Sequence, residues 1–585
     1  MQQGFMIDGR QLFKAMGKVK RKANTKQCCS LRTAVFGVLV LSTICMIAYE
    51  IVILHTMEHG PDVSPYSRTL VAQLSMDTKV DAMSVLSELS GFKETNIEDV
   101  GKEKIVNSVH FVWCENKTFT FANYLSVISV WKNLRPDIIE FHQTVPPLYD
   151  KYDDWFEDLR ATIPSLSVQE LPSNWDGEEM GCGVFFGLAV IDDRGGIYVG
   201  NNIIVSDDIS VYLRDDMTLI FDKSASHPEA NLAVAMAHDH DKDFKQFMRA
   251  YAKSKTVPEQ IKFCGNIDKE LKLNVNASCY VIDTDITPRD IFDLDSPFGS
   301  LARRLVYGSE ELKRPTPVLP GTIPKIVHYV WFGVREMDFM MYLSILSALY
   351  IVNPDKVFIH GEGGLTGKYF TKIRHDKRVV LIKRERPFEV YGHKLLYTQH
   401  RSDIVRAEVL LKYGGIYMDW DVLWLKSPDE LIQTGYDTIA NFDHMQKEKF
   451  PETINLGVLM AKPKSTFIKR WQDALRNYKT DDFLYNAVEL PYKVYEKYPE
   501  YLYIERHLQV MCFHLKCHPT FKENYKDFIN EQAFDWRTEA YAIHFTYPDP
   551  EELTDEKKCR NGVGRFADIC HHILKHEHKI PLTVS

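Results

Sequence analysis

The stretch "LLKYGGIYMDWDVLWLKSP", residues 410–428, places two aspartates, Asp419 and Asp421, at the end of a short apolar run. The run begins directly after a glycine pair, Gly414 and Gly415. Segments rich in β-branched and aromatic side chains predict strands, and a glycine pair in this position predicts the end of a helix. We therefore expect a helix, a tight turn and a buried strand through "GIYMDWDVLWL" that carries the two carboxylates.

The residues upstream complete an α/β pattern. "RSDIVRAEVLLKYGG" carries Ile404, Ala407, Leu410 and Leu411 at helical spacing, "KIVHYVW" and "KVFIHGE" are strand-like, and "MDFMMYLSILSALYIVNP" is helix-like. Strands that alternate with helices predict an α/β domain with a mostly parallel central sheet. Such sheets bind ligands beyond the carboxyl ends of their strands, which is where the two aspartates would lie.

Two carboxylates this close repel each other unless a cation lies between them. Residues i and i+2 of a strand point to the same face, so Asp419 and Asp421 would share one. This favours a hard divalent metal, Mn²⁺ or Mg²⁺, bound through carboxylate and phosphate oxygens. Two alternatives stay open: exposed acids on an edge strand, and a phosphatase with an aspartyl nucleophile. The phosphatase would normally have glycine and threonine next, whereas Val422 and Leu423 follow here.

The chain also contains an internal repeat. "VHFVW" at 109–113 returns as "VHYVW" at 327–331, "RGGIYVGNN" at 194–202 returns as "YGGIYMDWD" at 413–421, and "NLAVAMA" at 231–237 returns as "NLGVLMA" at 455–461. The three matches keep their order and nearly the same separation, which is the length of a domain and far too long for a solenoid. The sequence therefore predicts two tandem copies of one fold.

Length and composition agree with that prediction. A chain of 585 residues is too long for one ordinary core, and 45% hydrophobic with 26% charged residues is typical of a globular protein. The formal net charge of −9 argues against a nucleic-acid-binding protein.

Three segments of the second copy together resemble the DXD glycosyltransferases: "IPKIVHYVWFG" (323–333), "SDIVRAEVLLKYGGIYMDWDV" (402–422) and "NLGVLMA" (455–461). That family includes Golgi α1,4-galactosyl- and α1,4-N-acetylglucosaminyltransferases, yeast initiating α1,6-mannosyltransferases and bacterial glucosylating toxins. The resemblance implies two tandem GT-A-like domains that handle nucleotide-diphosphate sugars. It also implies metal-dependent transfer of a sugar with retention of anomeric configuration, for which the sequence nominates no nucleophile.

The resemblance assigns roles to the charged residues. Asp421 resembles the direct metal ligand, and Asp419 the aspartate that contacts ribose, donor sugar and metal. Asp403 and Arg406 resemble the pair that holds donor hydroxyls and diphosphate, although an i,i+3 pair of this kind is more often a surface ion pair. His544, in "AYAIHFTYPDP", matches a late metal or diphosphate ligand, with a purely structural histidine as the alternative.

The remaining predicted site residues bind the donor. Val330 and Trp331 resemble residues that pack on the uracil ring, although Trp331 taken alone would more often be a core residue. Ser402, which opens the middle motif, and Tyr417 would line the same pocket, and Asn455 would contact the sugar.

The first copy lacks the predicted chemistry. When the two glycine pairs are aligned, the four charged residues of the second copy have uncharged counterparts in the first. The strand and turn residues are the same or similar in both copies. We therefore expect a degenerate domain, with a metal-free transferase as the alternative. Its residues Val184, Gly187, Gly200 and Asn202 stand where the second copy has Asp403, Arg406, Asp419 and Asp421.

The N-terminus predicts a membrane anchor. Residues 33–54 form an apolar run long enough to cross a bilayer, and the residues before it are basic. This predicts a cytoplasmic tail (1–32), a signal-anchor and a lumenal stem (55–103), with a cleaved signal peptide as the alternative. The resemblance to Golgi enzymes adds a type II Golgi location.

The cysteines and two sequons fit a lumenal location. Eight cysteines follow the anchor, four in each half, which favours disulfides within each half. A zinc site around Cys512 and Cys517 is the alternative. Asn116 and Asn276 begin glycosylation sequons.

The expected architecture is a degenerate domain (104–300), a proline-containing linker (301–322) and a catalytic domain (323–585). The expected function is transfer of a hexose or N-acetylhexosamine to a glycan acceptor on lipid or protein. Expected partners are a nucleotide sugar, a glycolipid or glycoprotein and the membrane, with no nucleic acid; a homodimer is one assembly that such a chain could form. An inactive carbohydrate-binding protein on the same scaffold is the alternative function.

Overall fold

The computed structural model describes residues 104–114, 116–150, 152–171, 182–222, 231–254, 262–267, 277–318, 323–445 and 450–581. These residues belong to one compact unit. The predicted tail, anchor and stem lie outside the described residues. Among the residues described, no helix is both long and apolar enough to span a bilayer.

The first repeat (104–307) alternates strands and helices as predicted. Its strands are β1 (Ser108–Trp113), β2 (Ile138–Gln143), β3 (Leu166–Glu170), β4 (Gly196–Val199), β5 (Ile203–Val205), β6 (Met217–Asp222), β7 (Asn231–Ala237), β8 (Lys262–Phe263), β9 (Gly265–Ile267) and β10 (Cys279–Ile282). Its α-helices are α1 (Phe121–Ser129), α2 (Trp155–Thr162), α3 (Cys182–Arg194), α4 (Lys242–Ser254) and α5 (Pro297–Tyr307).

The second repeat (323–581) follows the same plan with additional elements. Its strands are β11 (Ile326–Trp331), β12 (Arg335–Glu336), β13 (Lys356–Gly361), β14 (Leu365–Thr366), β15 (Val379–Lys383), β16 (Glu389–Val390), β17 (His393–Lys394), β18 (Gly415–Met418), β19 (Val422–Trp424), β20 (Thr438–Phe442), β21 (Ile454–Ala461), β22 (Tyr503–Ile504), β23 (Gln509–Phe513), β24 (Lys516–His518) and β25 (Ala542–Tyr547). Its α-helices are α6 (Phe339–Ser347), α7 (Gly367–Ile373), α8 (Thr398–Tyr413), α9 (Asp429–Gln433), α10 (Thr466–Ala474), α11 (Leu490–Lys497), α12 (Glu551–Thr554), α13 (Glu556–Asn561) and α14 (Arg565–Leu574).

The two repeats share one sheet topology. The large sheets run β3-β2-β1-β4-β7-β6-β8 and β15-β13-β11-β18-β21-β20-β22, with seven strands each. In both, the first four strands are parallel and the next two pairings are antiparallel. The sheets are therefore mixed, with the predicted parallel character confined mainly to one side. A smaller sheet accompanies each large one, in the orders β5-β10-β9 and β19-β25-β23-β24.

The resemblance between the repeats extends to their internal hydrogen bonds. Ser126 donates to Ile203 O (2.6 Å), and Ser344 donates to Val422 O (2.7 Å). Both serines lie on the helix after the first strand of their repeat, and both helices continue into a π-helical turn, Val130–Leu134 and Ala348–Val352. Buried hydroxyls on equivalent helices thus tie equivalent short strands to the large sheets.

One prediction about the opening stretch is wrong. The sequence predicted a single strand through "GIYMDWDVLWL", but β18 ends at Met418 and β19 begins at Val422 in a different sheet. Asp419 and Asp421 lie in the turn between them, where Val422 N donates to Asp419 O (3.2 Å). Strand alternation therefore does not place the two side chains on one face. The helix before the stretch ends at Gly414 with a positive φ of 64°, as the glycine pair predicted.

Helix α11 of the second repeat joins the two repeats through buried aromatic and acidic groups. Tyr152 Oη lies 2.6 Å from both carboxylate oxygens of Glu496, and Tyr307 Oη donates to Glu496 O at 3.2 Å. Phe292 packs edge-on against Tyr495. One hydrophobic core contains residues of both repeats, so the repeats form a continuous body. Helix α5 extends to Tyr307 and crosses the predicted boundary at residue 300.

Each disulfide whose two cysteines are described lies within one half of the chain. The disulfides are Cys264–Cys279, Cys512–Cys517 and Cys559–Cys570, and Cys114 is also disulfide-bonded. Because Cys512 and Cys517 bond each other, they do not form the alternative zinc site. Asn116 is exposed, whereas Asn276 lies outside the described residues.

Candidate active site

All ten predicted site residues line one cleft of about 670 Å³ in the second repeat. The cleft opens where β11 and β18 end, next to the amino-terminal half of α8. This is the position that the α/β pattern predicted for a ligand. The ten residues are Val330, Trp331, Ser402, Asp403, Arg406, Tyr417, Asp419, Asp421, Asn455 and His544.

Arg406 lies at the centre of the charged part of the cleft. Its Nη1 is 3.0 Å from Asp403 Oδ1, and its Nη2 is 3.0 Å from Asp419 Oδ1. The guanidinium also lies 4.0 Å over the ring of Tyr417, whose hydroxyl donates to Asp419 Oδ1 at 2.8 Å. The side chains of Arg406 and Asp403 are only 6% and 10% exposed, so the alternative of a surface ion pair is wrong.

Burial shifts the pKa values of the carboxyl groups of Asp403 and Asp419. Desolvation raises the pKa of Asp403 to about 6, although the charge of Arg406 opposes the shift. Desolvation also raises the pKa of Asp419, against the opposing effect of Arg406. Both side-chain hydrogen bonds described for Asp419 use Oδ1. Asp403, Asp419 and Asp421 share this part of the cleft with one guanidinium, so a further cation would stabilise the carboxylates in their charged form.

Asp419, Asp421 and His544 form a cluster of the kind that holds a metal ion. One ligand atom from each lies within 4.8 Å of the others, and His544 Nε2 is 3.2 Å from Asp421 Oδ1. Burial lowers the pKa of His544, but the carboxylates outweigh burial and raise it overall, so this point of the cleft favours positive charge. The two carboxylates suit Mn²⁺ or Mg²⁺, and the imidazole offers a further nitrogen ligand. The residues therefore fit the divalent metal expected from the sequence.

Strand pairing explains why His544 reaches this cluster. Strands β19 and β25 are antiparallel, and Val422 lies opposite His544. Asp421 precedes β19 and accepts a bond from Phe545 N at its carbonyl (3.1 Å). The short strand after the aspartates thus aligns them with a histidine from a distant part of the chain.

The other end of the cleft is aromatic. Val330 is 5% exposed and Trp331 is half-buried. Trp420 lies between the two aspartates in the sequence, and its Nε1 donates to Val330 O at 2.8 Å while its ring packs 4.5 Å from that of Tyr329. The sequence prediction missed Trp420. It anchors the aspartate turn to β11, and its place inside the motif was the available signal.

Asn455 is held by other polar residues. Its Nδ2 donates to Asp443 Oδ2 (2.7 Å), and its Oδ1 accepts from Gly457 N (2.7 Å) and Gln509 Nε2 (3.1 Å). One amide hydrogen remains for a ligand. The prediction missed Asp443, which lines the cleft and directly follows strand β20, a position that a search of strand ends would have found.

Two further residues complete the cleft. Ser402 donates to Gln399 O at 2.5 Å on the first turns of α8. Asp549, also missed, lies in the loop after β25, and burial together with the charge of Asp421 raises its pKa to about 6. Nothing in the sequence around Asp549 distinguished it from other loop acids.

The first repeat differs at every one of the metal positions. Gly200 and Asn202 replace the aspartates by alignment, and Asn202 Nδ2 lies 3.3 Å from Ile282 O. In the first repeat Ile203 occupies the place of Val422, and its partner across the small sheet is Val281. Val281 therefore stands where the second repeat has His544.

The guanidinium position of the first repeat is also closed. Gly187 replaces Arg406, and a Cβ on Gly187 would lie 2.2 Å from Cδ2 of Tyr198. Tyr198 is the counterpart of Tyr417, on which Arg406 lies. The tyrosine ring thus fills the space of the missing arginine and leaves no room for a charged side chain there.

Residues 354–437, which contain Asp403, Arg406, Asp419 and Asp421, match the family described as "Glycosyltransferase sugar-binding region containing DXD motif". That segment is similar to the sugar-binding region of the DXD glycosyltransferases. This DXD region includes helix α8 and both short strands beside the aspartates.

Among characterised proteins, the chain is similar to Glucan organizing enzyme 1 of Cryptococcus neoformans var. grubii serotype A. The two are 29% identical over 203 residues, which are 32% of this chain and 54% of the fungal protein. The chain therefore matches about half the length of that relative.

The comparison with solved structures returned two glycosyltransferases among others. The bifunctional glycosyltransferase WbbM is 11% identical, with 59% of each chain covered and a TM-score of 0.30. The galactosyltransferase LgtC, solved with donor and acceptor sugar analogues, is 13% identical; 42% of this chain and 95% of that one are covered, with a TM-score of 0.27.

Proposed function

We propose that the second repeat is a glycosyltransferase that moves a hexose or N-acetylhexosamine from a nucleotide-diphosphate sugar to a glycan acceptor. The observation that carries the proposal is the convergence of Asp403, Arg406, Asp419, Asp421 and His544 on one cleft. The first four of these residues lie in the segment that matches a DXD sugar-binding region. We further propose that the enzyme depends on Mn²⁺ or Mg²⁺ and retains the anomeric configuration.

Different residues of the cleft would bind different parts of the donor. Val330 and Trp331 would pack against the base, and Arg406 would hold the diphosphate and the sugar hydroxyls together with Asp403. Tyr417 and Asp419 fix the guanidinium in place, so it is oriented before the donor arrives. Asp419, Asp421 and His544 would hold the metal, which when bound supplies charge stabilisation for the leaving diphosphate.

We propose that the first repeat does not bind a nucleotide sugar productively. It lacks the charged residues of the second repeat, and Tyr198 fills the arginine position. The first repeat would instead brace the second through Glu496 and its aromatic neighbours, or help to present the acceptor. An inactive carbohydrate-binding protein is disfavoured because the second repeat keeps its full set of charged residues.

The test is hydrolysis of a panel of nucleotide sugars by the purified protein with Mn²⁺. A transferase releases free sugar and nucleoside diphosphate slowly from its donor, a phosphatase prefers simple phosphomonoesters, and a carbohydrate-binding protein does neither. Asp421→Ala should abolish hydrolysis and transfer together, whereas Asn202→Ala in the first repeat should leave hydrolysis near its starting level. Loss of hydrolysis in a well-folded Asn202→Ala variant would contradict the proposal that the first repeat does not bind the nucleotide sugar productively.

We propose a type II location in the Golgi membrane with the described residues in the lumen. The apolar run at 33–54, its basic flank and the exposed Asn116 support this topology. Treatment with an endoglycosidase should increase gel mobility of the cellular protein, and Asn116→Gln should reduce that change. Recovery of a soluble, N-terminally trimmed product as the sole cellular form would favour the signal-peptide alternative.

A further inference from the structure

A second group of metal-binding side chains lies in the first repeat, away from the cleft. Strands β1 and β2 are parallel neighbours on which His110 lies beside Glu140 and Val112 beside His142. His110 Nδ1 is 3.2 Å from His142 Nε2 and 3.2 Å from Glu140 Oε2, and His142 Nε2 is 3.5 Å from the same oxygen. Two imidazoles and one carboxylate therefore point at a common centre.

The protonation of His110 makes this arrangement unusual. Burial lowers the pKa of His110, and a backbone hydrogen bond to Gly195 opposes that shift. Since Nδ1 faces the cluster, Nε2 is the nitrogen that donates to this backbone, and it also lies 3.5 Å from Ser108 Oγ. The equivalent His328 of the second repeat makes the same contact, with Nε2 at 2.9 Å from Gly414 O. Nδ1 of His110 thus presents a lone pair to the carboxylate oxygen of Glu140. A proton on His142 can bridge only one of the three contacts.

The distances fit a tetrahedral cation. Zinc binds imidazole nitrogen and carboxylate oxygen at about 2.0–2.2 Å, so ligand atoms on a regular tetrahedron are separated by roughly 3.3–3.6 Å. The three observed separations run from 3.2 to 3.5 Å. His110 and His142 are 1% and 3% exposed and the Glu140 side chain 13%, so the imidazoles are fixed while one side of the cluster faces solvent.

The second repeat provides a natural comparison. It keeps the histidine pair, with His328 Nδ1 at 3.0 Å from His360 Nε2, but has Phe358 where the first repeat has Glu140. One hydrogen bond satisfies that contact, so the pair by itself is structural. The carboxylate is present only in the first repeat, the one that lacks the charged residues of the cleft.

The positive charge of Arg194 opposes the binding of a cation beside Glu140. Its Nη1 lies 3.3 Å from Glu140 Oε2, but its side chain is 57% exposed and also lies 3.6 Å from Asp193. An exposed arginine with a second carboxylate in reach can leave Glu140 at small cost. Arg194 would therefore weaken metal binding without blocking the site.

We propose that His110 Nδ1, His142 Nε2 and Glu140 Oε2 form a zinc-binding site, with water in the fourth position. His142 would carry its ring proton on Nδ1 in the bound form, and the glutamate would release Arg194. The ion would link β1 to β2 on a surface distinct from the cleft of the second repeat.

The site can be tested with zinc alone on the full-length protein. The Asp421→Ala background weakens the cleft as a competing site, and dialysed protein is analysed for bound metal. We expect about one equivalent of Zn²⁺ per chain in this background, and none after addition of Glu140→Gln or His142→Ala. His360→Ala in the second repeat is the matched control, and this variant should still bind about one equivalent of Zn²⁺ per chain.

Two further measurements separate metal loss from misfolding. Zn²⁺ should raise the melting temperature of the Asp421→Ala protein but not that of the Glu140→Gln double variant, while Arg194→Gln should tighten binding. Substituted Co²⁺ should show the visible bands of a tetrahedral site. The proposal is overturned if the Asp421→Ala protein retains no zinc, or if the folded Glu140→Gln double variant retains as much as its parent.

Discussion

Gly457 and His544 are in contact so close that no side chain fits between them. A Cβ on Gly457 would lie 2.3 Å from Cε1 and 2.5 Å from Nδ1 of His544. Because Gly457, the glycine of "NLGVLMA", has no side chain, it leaves room for the ring of His544, the predicted metal ligand. The first repeat has alanine at this position, Ala233 in "NLAVAMA", and it has Val281 instead of the histidine.

Gly457→Ala should therefore displace His544 and weaken the metal site. We expect the affinity for Mn²⁺, measured as the metal dependence of donor hydrolysis, to fall on the order of 10- to 100-fold. Ala233→Gly in the first repeat is the matched control and should leave the metal dependence unchanged. An unchanged Mn²⁺ dependence in Gly457→Ala would show that His544 is not a ligand.

Arg406→Gln should destabilise the protein as well as inactivate it. The substitution leaves the Asp403 carboxyl buried beside Asp419 without a countercharge, and breaking a buried pair costs roughly 3–5 kcal/mol. Denaturant unfolding would measure the loss. Adding Asp403→Asn should recover part of the stability because it removes one buried charge, but it should not restore hydrolysis. A double variant as unstable as the sum of the single ones would argue against their coupling.

Removal of divalent metal should abolish donor hydrolysis, and Mn²⁺ should restore it, because Asp419, Asp421 and His544 would hold the ion. Activity at increasing metal concentration after chelation provides the measurement. Asp421→Asn keeps the shape of the side chain but loses its charge, so Mn²⁺ should not rescue this variant at concentrations that saturate the wild type. Full activity in excess chelator would contradict the proposed mechanism.

The interface between the repeats should become less stable as pH rises. Burial raises the pKa of Glu496 to about 7 from 4.5, and Tyr152 and Tyr492 bond to its carboxylate. A raised folded-state pKa stabilises the protonated form, so this contribution is fully present below pH 4.5 and is lost as pH approaches 7. The change is on the order of 3 kcal/mol.

A comparison of the wild type with Glu496→Gln isolates the effect of Glu496. Burial also raises the pKa of Asp158 to about 7, but Asp158 is present in both proteins. The free energy of unfolding of the wild type, relative to the variant, should decrease between pH 5 and pH 8. Glu157→Gln, at a side chain that is 60% exposed, is the surface control and should follow the wild type. A parallel pH dependence in wild type and Glu496→Gln would mean that Glu496 stays ionised.

Much of the second repeat could be predicted because the signals are local. Helix α8 ends at Gly414 since a glycine accommodates the positive φ, and the alternation of strands and helices depends on residues close in sequence. The repeat was visible because matching segments kept their order and spacing. The spacing of Asp403, Arg406, Asp419 and Asp421 is local too, so the sequence alone indicated a donor site.

Only the tertiary structure decided how those residues meet. The predicted strand through the aspartates divides between two sheets because β19 pairs with β25, and that pairing brings His544 to Asp421. In the first repeat the corresponding pairing of β5 with β10 places Val281 at the equivalent position. The bonds of Asn455 to Asp443 and Gln509, and the His110–Glu140–His142 cluster, also join separate strands. Such contacts depend on which strands become neighbours and in what register, and no pattern of adjacent residues specifies that.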